Sequence, residues 1–249
     1  MTIEDAVVDV SQDWIQACSV QQRFMRGPAR NQCRVDYGAS CRQMRALGGD
    51  CYDFSCQTDG QLTMLVGDAS GKGVAAALMI ASVQASLRTA ALLTGNDLTA
   101  LVRVVNAQAC ASSLADRYAT LFYTVLDQSA RTLRYVNAGH NPPVIFHQDG
   151  SIEWLEPSGA PVGLFPGATW QERVVTLGPG DRLIAYTDGV TEACSPSGEE
   201  WGMKGLLRAA NARGTESADE LVRSILDSMD DFSRGVQTDD ATVAILRVL

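Results

Sequence analysis

The stretch "LVGDASGKGVAAALMIAS" (residues 65–82) joins an apolar run, a Gly-Asp pair, a lysine between two glycines and a series of small apolar residues. This pattern predicts a buried strand that ends near Asp68 and a buried helix that begins near Val74, with a tight glycine loop between them. Such a loop could bind a nucleotide phosphate through Lys72 or a metal ion through Asp68. The rest of the chain decides between these two hypotheses.

The nucleotide hypothesis fails on the spacing of the loop. A P-loop requires G-x-x-x-x-G-K followed by Ser or Thr, whose hydroxyl binds magnesium. Here three residues separate Gly67 from Gly71, and Gly73 stands where the hydroxyl is needed. Asp68 would also bring a negative charge to the phosphate. We therefore interpret Asp68 as a ligand for a hard divalent cation.

Composition limits the class of protein. The chain has 249 residues, 46% of them hydrophobic, and a net charge of −9, which fits a globular protein with a proper core and argues against a nucleic-acid partner. The acidic N-terminus and the lack of a long uninterrupted apolar run predict no signal peptide, no membrane partner and a cytoplasmic location. Seven scattered cysteines without a C-x-x-C pair argue against a zinc cluster and a disulfide framework.

The N-terminal residues 1–27 are predicted to form a helix. Its apolar stripe recurs at steps of three and four residues and comprises Ile3, Val7, Val10, Trp14, Ala17, Gln21 and Phe24. This stripe is compatible with a dimerisation helix, in which Trp14 is central and Gln21 fixes the register. It is equally compatible with a helix docked on its own domain, so both interpretations stay open.

Residues 28–249 are predicted to form one domain of class α+β. Asp59-Gly60 predicts a hairpin between two strands, and Val74 begins a buried helix. A second helix follows, with Asn96 or Asp97 as its cap, and two shorter helices are expected at 203–212 and 218–231. Blocks of strands around these helices, without regular βα alternation, favour a layered sandwich over a doubly wound sheet.

Several aspartates share one signature, because each lies at the end of a predicted strand or in a turn beside small residues. They are Asp50, Asp68, Asp188, and the pair Asp239 and Asp240. Neighbouring strands would bring them to one end of a sheet, where two bare carboxylates about 4 Å apart repel by roughly 4 kcal/mol. Such a cluster requires cations, and a set of oxygen ligands without histidine fits Mg²⁺ or Mn²⁺.

Five separated motifs carry a family resemblance. "GGDCYDF", "GDASGKGVAAALM", "YATLFYTVLD…LRYVNAGHNPP", "YTDGVTEA" and "TDDATVAIL" occur in order from about residue 48 to residue 248. Together they resemble the SpoIIE/RsbU branch of the PP2C-type metal-dependent protein serine/threonine phosphatases. The resemblance implies two antiparallel sheets packed together, helix pairs outside them, and metals in a cleft at one end.

The resemblance also implies roles for individual residues around two Mn²⁺ or Mg²⁺ ions. Asp68 and the backbone carbonyl of Ala69 match the position that bridges both metals, Asp50 lies near one ion, and Asp188 and Asp239 match ligands of the other. Asp53 and Asp240 are carboxylates nearby that could support the centre from outside it. A water activated by the metals would attack phosphorus, so that no protein nucleophile is needed.

Other assignments remain open at this stage. Arg42 and Arg45 precede Asp50, but nothing in the sequence assigns either one to the substrate phosphate. His140 could be a general acid, although the Asn-Pro-Pro after it favours a turn residue, and His147 is expected at a strand end on the surface.

The resemblance implies a phosphorylated protein substrate, of the anti-sigma-factor antagonist type. Two alternatives are a phosphatase-like binding module without catalysis and a two-metal nuclease, which the negative charge disfavours.

Overall fold

A computed structural model describes residues 3–25, 27, 35–56, 60–95, 97–112, 116–211 and 217–249, with only the backbone described for residues 3–11. The strands are β1 Val35–Arg42, β2 Asp50–Cys56, β3 Gln61–Ala69, β4 Ala119–Asp127, β5 Thr132–Ala138, β6 Val144–Phe146, β7 Ile152–Trp154, β8 Arg173–Thr176, β9 Arg182–Tyr186 and β10 Ala241–Val248. The helices are α1 Ile3–Phe24, α2 Val74–Thr94, α3 Leu98–Ser112, α4 Asp188–Thr191, α5 Gly202–Asn211 and α6 Ala218–Ser233.

The strands form two five-stranded antiparallel sheets, in the orders β1-β10-β9-β6-β7 and β2-β3-β4-β5-β8. One apolar cluster fills the space between the two sheets. A second lies between the β2-β3-β4 sheet and the pair α2 and α3, and a third lies between the other sheet and α5 and α6. The predicted sandwich with helix pairs on both outer faces is therefore confirmed.

Strand β3 shows how the sequence produces these layers. Successive side chains of a strand point to opposite faces. Accordingly Leu62, Met64 and Val66 lie in the cluster between the sheets, whereas Leu65 lies in the cluster under α2 and α3. The same alternation directs Asp68 to the inner face, at the end of the strand.

Helix α2 packs one face into the core through residues that include Ala76, Ile80, Val83 and Leu87. By length and composition alone it is also the one described helix that could cross a membrane, with 39% of its most apolar window buried. Its buried face shows that the apolar composition serves packing against the sheet and α3.

At the start of α3, the Asp97 side chain accepts a hydrogen bond from the Ala100 N–H at 2.8 Å, so Asp97 is the cap. Asn96 lies outside the described residues.

Helix α1 lies on its own domain through the C-terminal half of its predicted stripe. Gln21 is only 7% exposed, and its side-chain amide donates a hydrogen bond to the Gly48 carbonyl at 2.7 Å. Gln21 is thus a docking residue, which corrects its predicted role in a dimer seam. Trp14 remains 40% exposed, and Ile3, Val7 and Val10 have side chains outside the described part. Dimerisation through this helix stays a prediction.

Two short elements escaped sequence analysis. The edge strand β8 has mostly exposed residues, and α4 is a single turn that begins at Asp188. The predicted hairpin joins β2 to β3, although Asp59 at its turn lies outside the described residues. The boundary expected between residues 27 and 28 also falls there in part, so the division into helix and domain stays a prediction.

Candidate metal centre

The pairing of β2 with β3 places Asp50 directly opposite Asp68. Asp50 is 1% exposed, and its Oδ2 accepts hydrogen bonds from the hydroxyls of Thr187 at 2.7 Å and Thr242 at 2.6 Å. Burial raises the pKa of Asp50 to about 7, against the opposing effect of these two hydroxyls. Because both hydrogen bonds reach Oδ2, Thr187 and Thr242 fix the orientation of the Asp50 carboxylate.

Asp68 lies where the other carboxylates converge. Burial, and then the negative charges of Asp50, Asp188, Asp239 and Asp240, raise the pKa of Asp68 to about 9. A carboxyl group in this position keeps its proton at neutral pH unless a cation replaces it. Asp68 is thus buried and lies within the field of four other carboxylates.

Asp188 and Asp239 come from the other sheet. Asp188 follows Thr187 at the end of β9 and is the first residue of α4, and Asp239 precedes β10. Burial and the charge of Asp239 raise the pKa of Asp188. Gly189 contacts the Asp240 carbonyl so closely that a Cβ atom would overlap with it, and this close approach brings the two loops together.

Asp240 holds the loop before β2. Its Oδ1 accepts a hydrogen bond from the Met44 N–H and its Oδ2 accepts one from the Gly49 N–H, both at 2.7 Å. With both oxygens bound to backbone, Asp240 positions the loop that leads to Asp50. The structure thus favours the supporting role considered for Asp240 over direct coordination.

The backbone carbonyl of Ala69 lies beside Gly49 at the same end of β3. An ideal Cβ atom on Gly49 would be 3.0 Å from this oxygen and 3.6 Å from Asp68 Oδ1. The Ala69 N–H donates to the Gly49 carbonyl at 3.0 Å, which ties the two loops together. The carbonyl and carboxylate oxygens predicted to act together therefore lie on the same side of this loop.

The donor set fits hard divalent cations. Within the described ranges, no group of three or more His, Cys, Asp or Glu side chains is arranged so that it could hold one ion by itself. Mg²⁺ is typically held by one or two carboxylates and keeps several waters, and this sparse arrangement of carboxylates with a carbonyl meets that requirement. Burial and then the repulsion between carboxylates raise the pKa of Asp68, and a cation would offset both effects.

Asp53 does not belong to this cluster. It is three residues from Asp50 on one strand, so the two side chains point to opposite faces of the sheet. Asp53 Oδ2 accepts a hydrogen bond from Arg88 Nε of α2 at 2.7 Å. The structure therefore disfavours the supporting role considered for Asp53, which instead forms an ion pair with Arg88 of α2.

The side chains of both histidines contact neighbouring polar side chains of the fold. His140 is 1% exposed, its Nδ1 lies 2.8 Å from Thr120 Oγ1, and burial lowers its pKa to about 4. This neutral, enclosed ring is unsuited to a general acid, in agreement with the turn interpretation. Nδ1 of His147 lies 2.9 Å from Asp181 Oδ2. This contact is the main reason why the pKa of His147 is raised.

The structure separates the two candidate arginines. Arg42 forms ion pairs with Asp227 and Asp230 of α6, so it joins the sheet to that helix. Arg45 is exposed, and an ideal Cβ atom on Gly73 would be 3.3 Å from its Nη1. Among the described residues Arg45 forms no ion pair. An exposed guanidinium beside Gly73, the residue before α2, suits binding of a phosphate group.

Sequence analysis missed Thr187 and Thr242. Each stands close to a predicted ligand, because Thr187 directly precedes Asp188 and Thr242 follows Asp240 by two residues. Their contacts with Asp50 span 137 and 192 residues of sequence. Only the stacking of the two sheets reveals them.

Comparison with known proteins agrees with the fold. Residues 58–249 match the family model described as Stage II sporulation protein E (SpoIIE). The chain belongs to the SpoIIE family. The resemblance predicted from the motifs is therefore confirmed.

Two curated proteins are similar in sequence to this SpoIIE-family chain over most of its length. Protein IcfG of Synechocystis sp. is 30% identical over 258 residues, which cover 92% of this chain and 40% of IcfG. Phosphoserine phosphatase RsbU of Bacillus subtilis is 28% identical over 235 residues, which cover 93% of this chain and 68% of RsbU. The chain thus spans less than half of IcfG and about two thirds of RsbU.

Solved structures share the fold of this SpoIIE-family chain. The SiaA-PP2C domain of Pseudomonas aeruginosa has a TM-score of 0.84 at 19% identity and covers 100% of both chains. The catalytic domain of the serine/threonine phosphatase PstP, in complex with two manganese ions, has a TM-score of 0.65 at 18% identity and covers 86% of this chain and 98% of its own. The PP2C fold is thereby confirmed.

Proposed function

We propose that this chain is a metal-dependent protein serine/threonine phosphatase that hydrolyses phosphoserine or phosphothreonine on a small regulatory protein. The observation that carries the proposal is that separate segments bring four carboxylates to one end of the sandwich. Asp50 pairs with Asp68, Thr187 beside Asp188 donates to Asp50, and Gly189 contacts Asp239 and Asp240. Such a concentration of negative charge cannot receive a phosphate ester unless cations neutralise it.

Two Mn²⁺ or Mg²⁺ ions would occupy this centre. Asp68 and the Ala69 carbonyl would contribute to holding both ions, Asp50 to holding one of them, and Asp188 and Asp239 to holding the other. When bound, the cations would supply Lewis-acid activation of water and neutralise charge on the phosphate. The two manganese ions in PstP, which has the same fold, support this number.

The residues of the chain itself orient the centre and the substrate. The hydroxyls of Thr187 and Thr242 fix the Asp50 carboxylate, and Asp240 fixes the loop before it. Arg45 would bind the phosphate oxygens from the side of α2. Together these residues would orient a substrate phosphate for attack by water.

Hydrolysis of p-nitrophenyl phosphate and of a phosphoserine peptide tests the activity. We expect EDTA to abolish both reactions and Mn²⁺ to restore them at least as well as Mg²⁺, since Mn²⁺ binds oxygen sites more tightly. Asp68→Asn should lower the rate at least about 100-fold, whereas the exposed Asp149→Asn serves as a control. Full activity after exhaustive chelation would exclude the proposal.

The substrate class is proposed as an anti-sigma-factor antagonist in the cytoplasm. The naming of RsbU as a phosphoserine phosphatase supports a phosphoserine substrate. An Asp68→Asn chain used as a trap in lysate should capture a phosphorylated protein, which the wild-type chain should then dephosphorylate. Capture without hydrolysis by the wild type would instead favour the alternative, a phosphatase-like binding module.

A further inference from the structure

Lys72 already places a positive charge at one edge of the carboxylate cluster. Its Nζ lies 2.6 Å from Asp239 Oδ2 and donates a hydrogen bond to the Thr238 carbonyl at 2.8 Å. The side chains of Lys72 and Asp239 are 44% and 33% exposed, so the pair lies at the open side of the centre. The ammonium group of Lys72 thus binds a carboxylate oxygen of Asp239, a residue that the proposed function makes a metal ligand.

The backbone that presents Lys72 is held firmly. The Ser70 N–H donates to the Tyr118 carbonyl, and Arg117 Nη1 donates to the Ser70 carbonyl, both at 2.8 Å. Gly71 and Gly73 on either side have φ of 93° and 74°, a region that favours glycine. Any side chain on Gly71 would also overlap with the Arg117 guanidinium. A fixed loop with a long side chain allows the ammonium to leave Asp239 without moving the backbone.

We propose that Lys72 is a built-in counter-ion for Asp239, whose ammonium group binds Asp239 Oδ2 in the metal-free centre and leaves it when a divalent cation binds there. This inference rests on the proposed function, which makes Asp239 a metal ligand. Lys72 would lower the metal affinity of the site while stabilising the metal-free fold. It is a positioning residue, because it acts through Asp239.

Titration calorimetry with Mn²⁺ on the full chain tests the competition. Lys72→Met removes the charge at nearly constant length, and it should bind Mn²⁺ about three- to tenfold more tightly than the wild type, since the ion no longer displaces or opposes an ammonium. Lys72→Arg should stay close to the wild type. The chain's other lysine, Lys204, is exposed on α5, so Lys204→Met is the matched control and should change nothing.

Unfolding in EDTA gives a second readout that needs no metal. Lys72→Met should lower the stability of the wild-type chain more than that of an Asp239→Asn chain, because Asp239 is already neutral in the second background. Lys72→Gln offers the same comparison should the methionine variant fold poorly. An equal loss in both backgrounds would show that Lys72 acts elsewhere.

The outcomes separate the inference from the function on which it rests. If Mn²⁺ binds the wild type and Lys72→Met equally, or binds the variant more weakly, the counter-ion role is wrong and the phosphatase proposal stands. If Mn²⁺ binds neither the wild type nor any of the variants, the proposed function fails and the inference fails with it.

Discussion

At the scale of single residues, Asp68 makes the metal-free centre sensitive to pH. Its pKa in the folded chain, about 9, lies above the ordinary value of 3.8. The folded state therefore holds the proton more tightly than the unfolded state. The resulting stabilisation is complete below about pH 4 and is lost as the pH rises through about 9.

We expect the Asp68→Asn substitution to remove this loss. In EDTA, urea unfolding of the wild type should show a stability that falls as the pH rises from about 4 to about 9, and the variant should show a shallower slope over the same range. Asp149→Asn, at an exposed turn, should keep the wild-type slope. Parallel slopes for the wild type and Asp68→Asn would contradict the raised pKa.

Arg45 should contribute to substrate binding. Arg45→Ala is expected to raise KM for a phosphopeptide about tenfold while the chain keeps its stability, because an exposed charge-assisted contact with phosphate is lost. Steady-state kinetics measure this, with the exposed Arg103→Ala on α3 as the control. A change confined to kcat, or an equal effect of both variants, would place the phosphate elsewhere.

At the scale of secondary-structure elements, α1 contacts the loop that carries the centre. Gln21 Nε2 donates to the Gly48 carbonyl, and Gln21 Oε1 accepts from the Gly48 N–H at 3.2 Å and from Gln43 Nε2 at 2.9 Å. Gly48 in turn lies against the carboxylate of Asp240. One glutamine of α1 therefore fixes both polar groups of a backbone unit two residues from Asp50.

Gln21→Ala should loosen this connection. Because it leaves the buried Gly48 N–H and carbonyl without partners, we expect a loss of about 1–3 kcal/mol in the free energy of unfolding, together with lower phosphatase activity. Gln22→Ala, at the exposed neighbouring position, is the control for both denaturant unfolding and activity. Unchanged stability in Gln21→Ala would show that α1 does not support the loop.

The exposed side of α1 bears on the predicted dimer. Ile15 and Val20 are 67% and 51% exposed, and Trp14 is 40% exposed. A contact between two short helices buries little area, so the dimer should be weak, with a Kd of about micromolar or higher. We expect sedimentation equilibrium to show concentration-dependent dimerisation that Trp14→Glu abolishes without unfolding the domain. A wild type that stays monomeric at high concentration would leave α1 as a docked helix only.

At the scale of the whole molecule, the sequence predicts what depends on local pattern. Alternation in β3 and the apolar face of α2 predict the layers, and the strand-end positions of Asp50 and Asp68 predict their meeting. The alternation of side chains along a strand also separates Asp53 from Asp50, because residues three apart on β2 point to opposite faces of the sheet. The contacts of Thr187 and Thr242 with Asp50 were beyond prediction, because they arise from the packing of one sheet on the other.

That packing makes the candidate centre a bridge between the two sheets. Asp50 and Asp68 belong to β2 and β3, whereas Asp188 and Asp239 flank β9 and β10 of the other sheet. A cation held by both pairs would bind the folded chain and lose its site on unfolding. Metal binding should therefore raise the free energy of unfolding of the entire sandwich.

We expect Mn²⁺ at 100 times its Kd to add about 2.7 kcal/mol to the free energy of unfolding per site. For a domain of this size, that corresponds to a rise in Tm of about 5–10 °C, measured by calorimetry in Mn²⁺ against EDTA. Asp188→Asn should reduce the rise because it removes a ligand from one sheet, and Asp149→Asn should keep it in full. An equal rise in both variants would mean that Mn²⁺ binds away from the carboxylate cluster, since a centre shared between the sheets cannot lose one side without losing affinity.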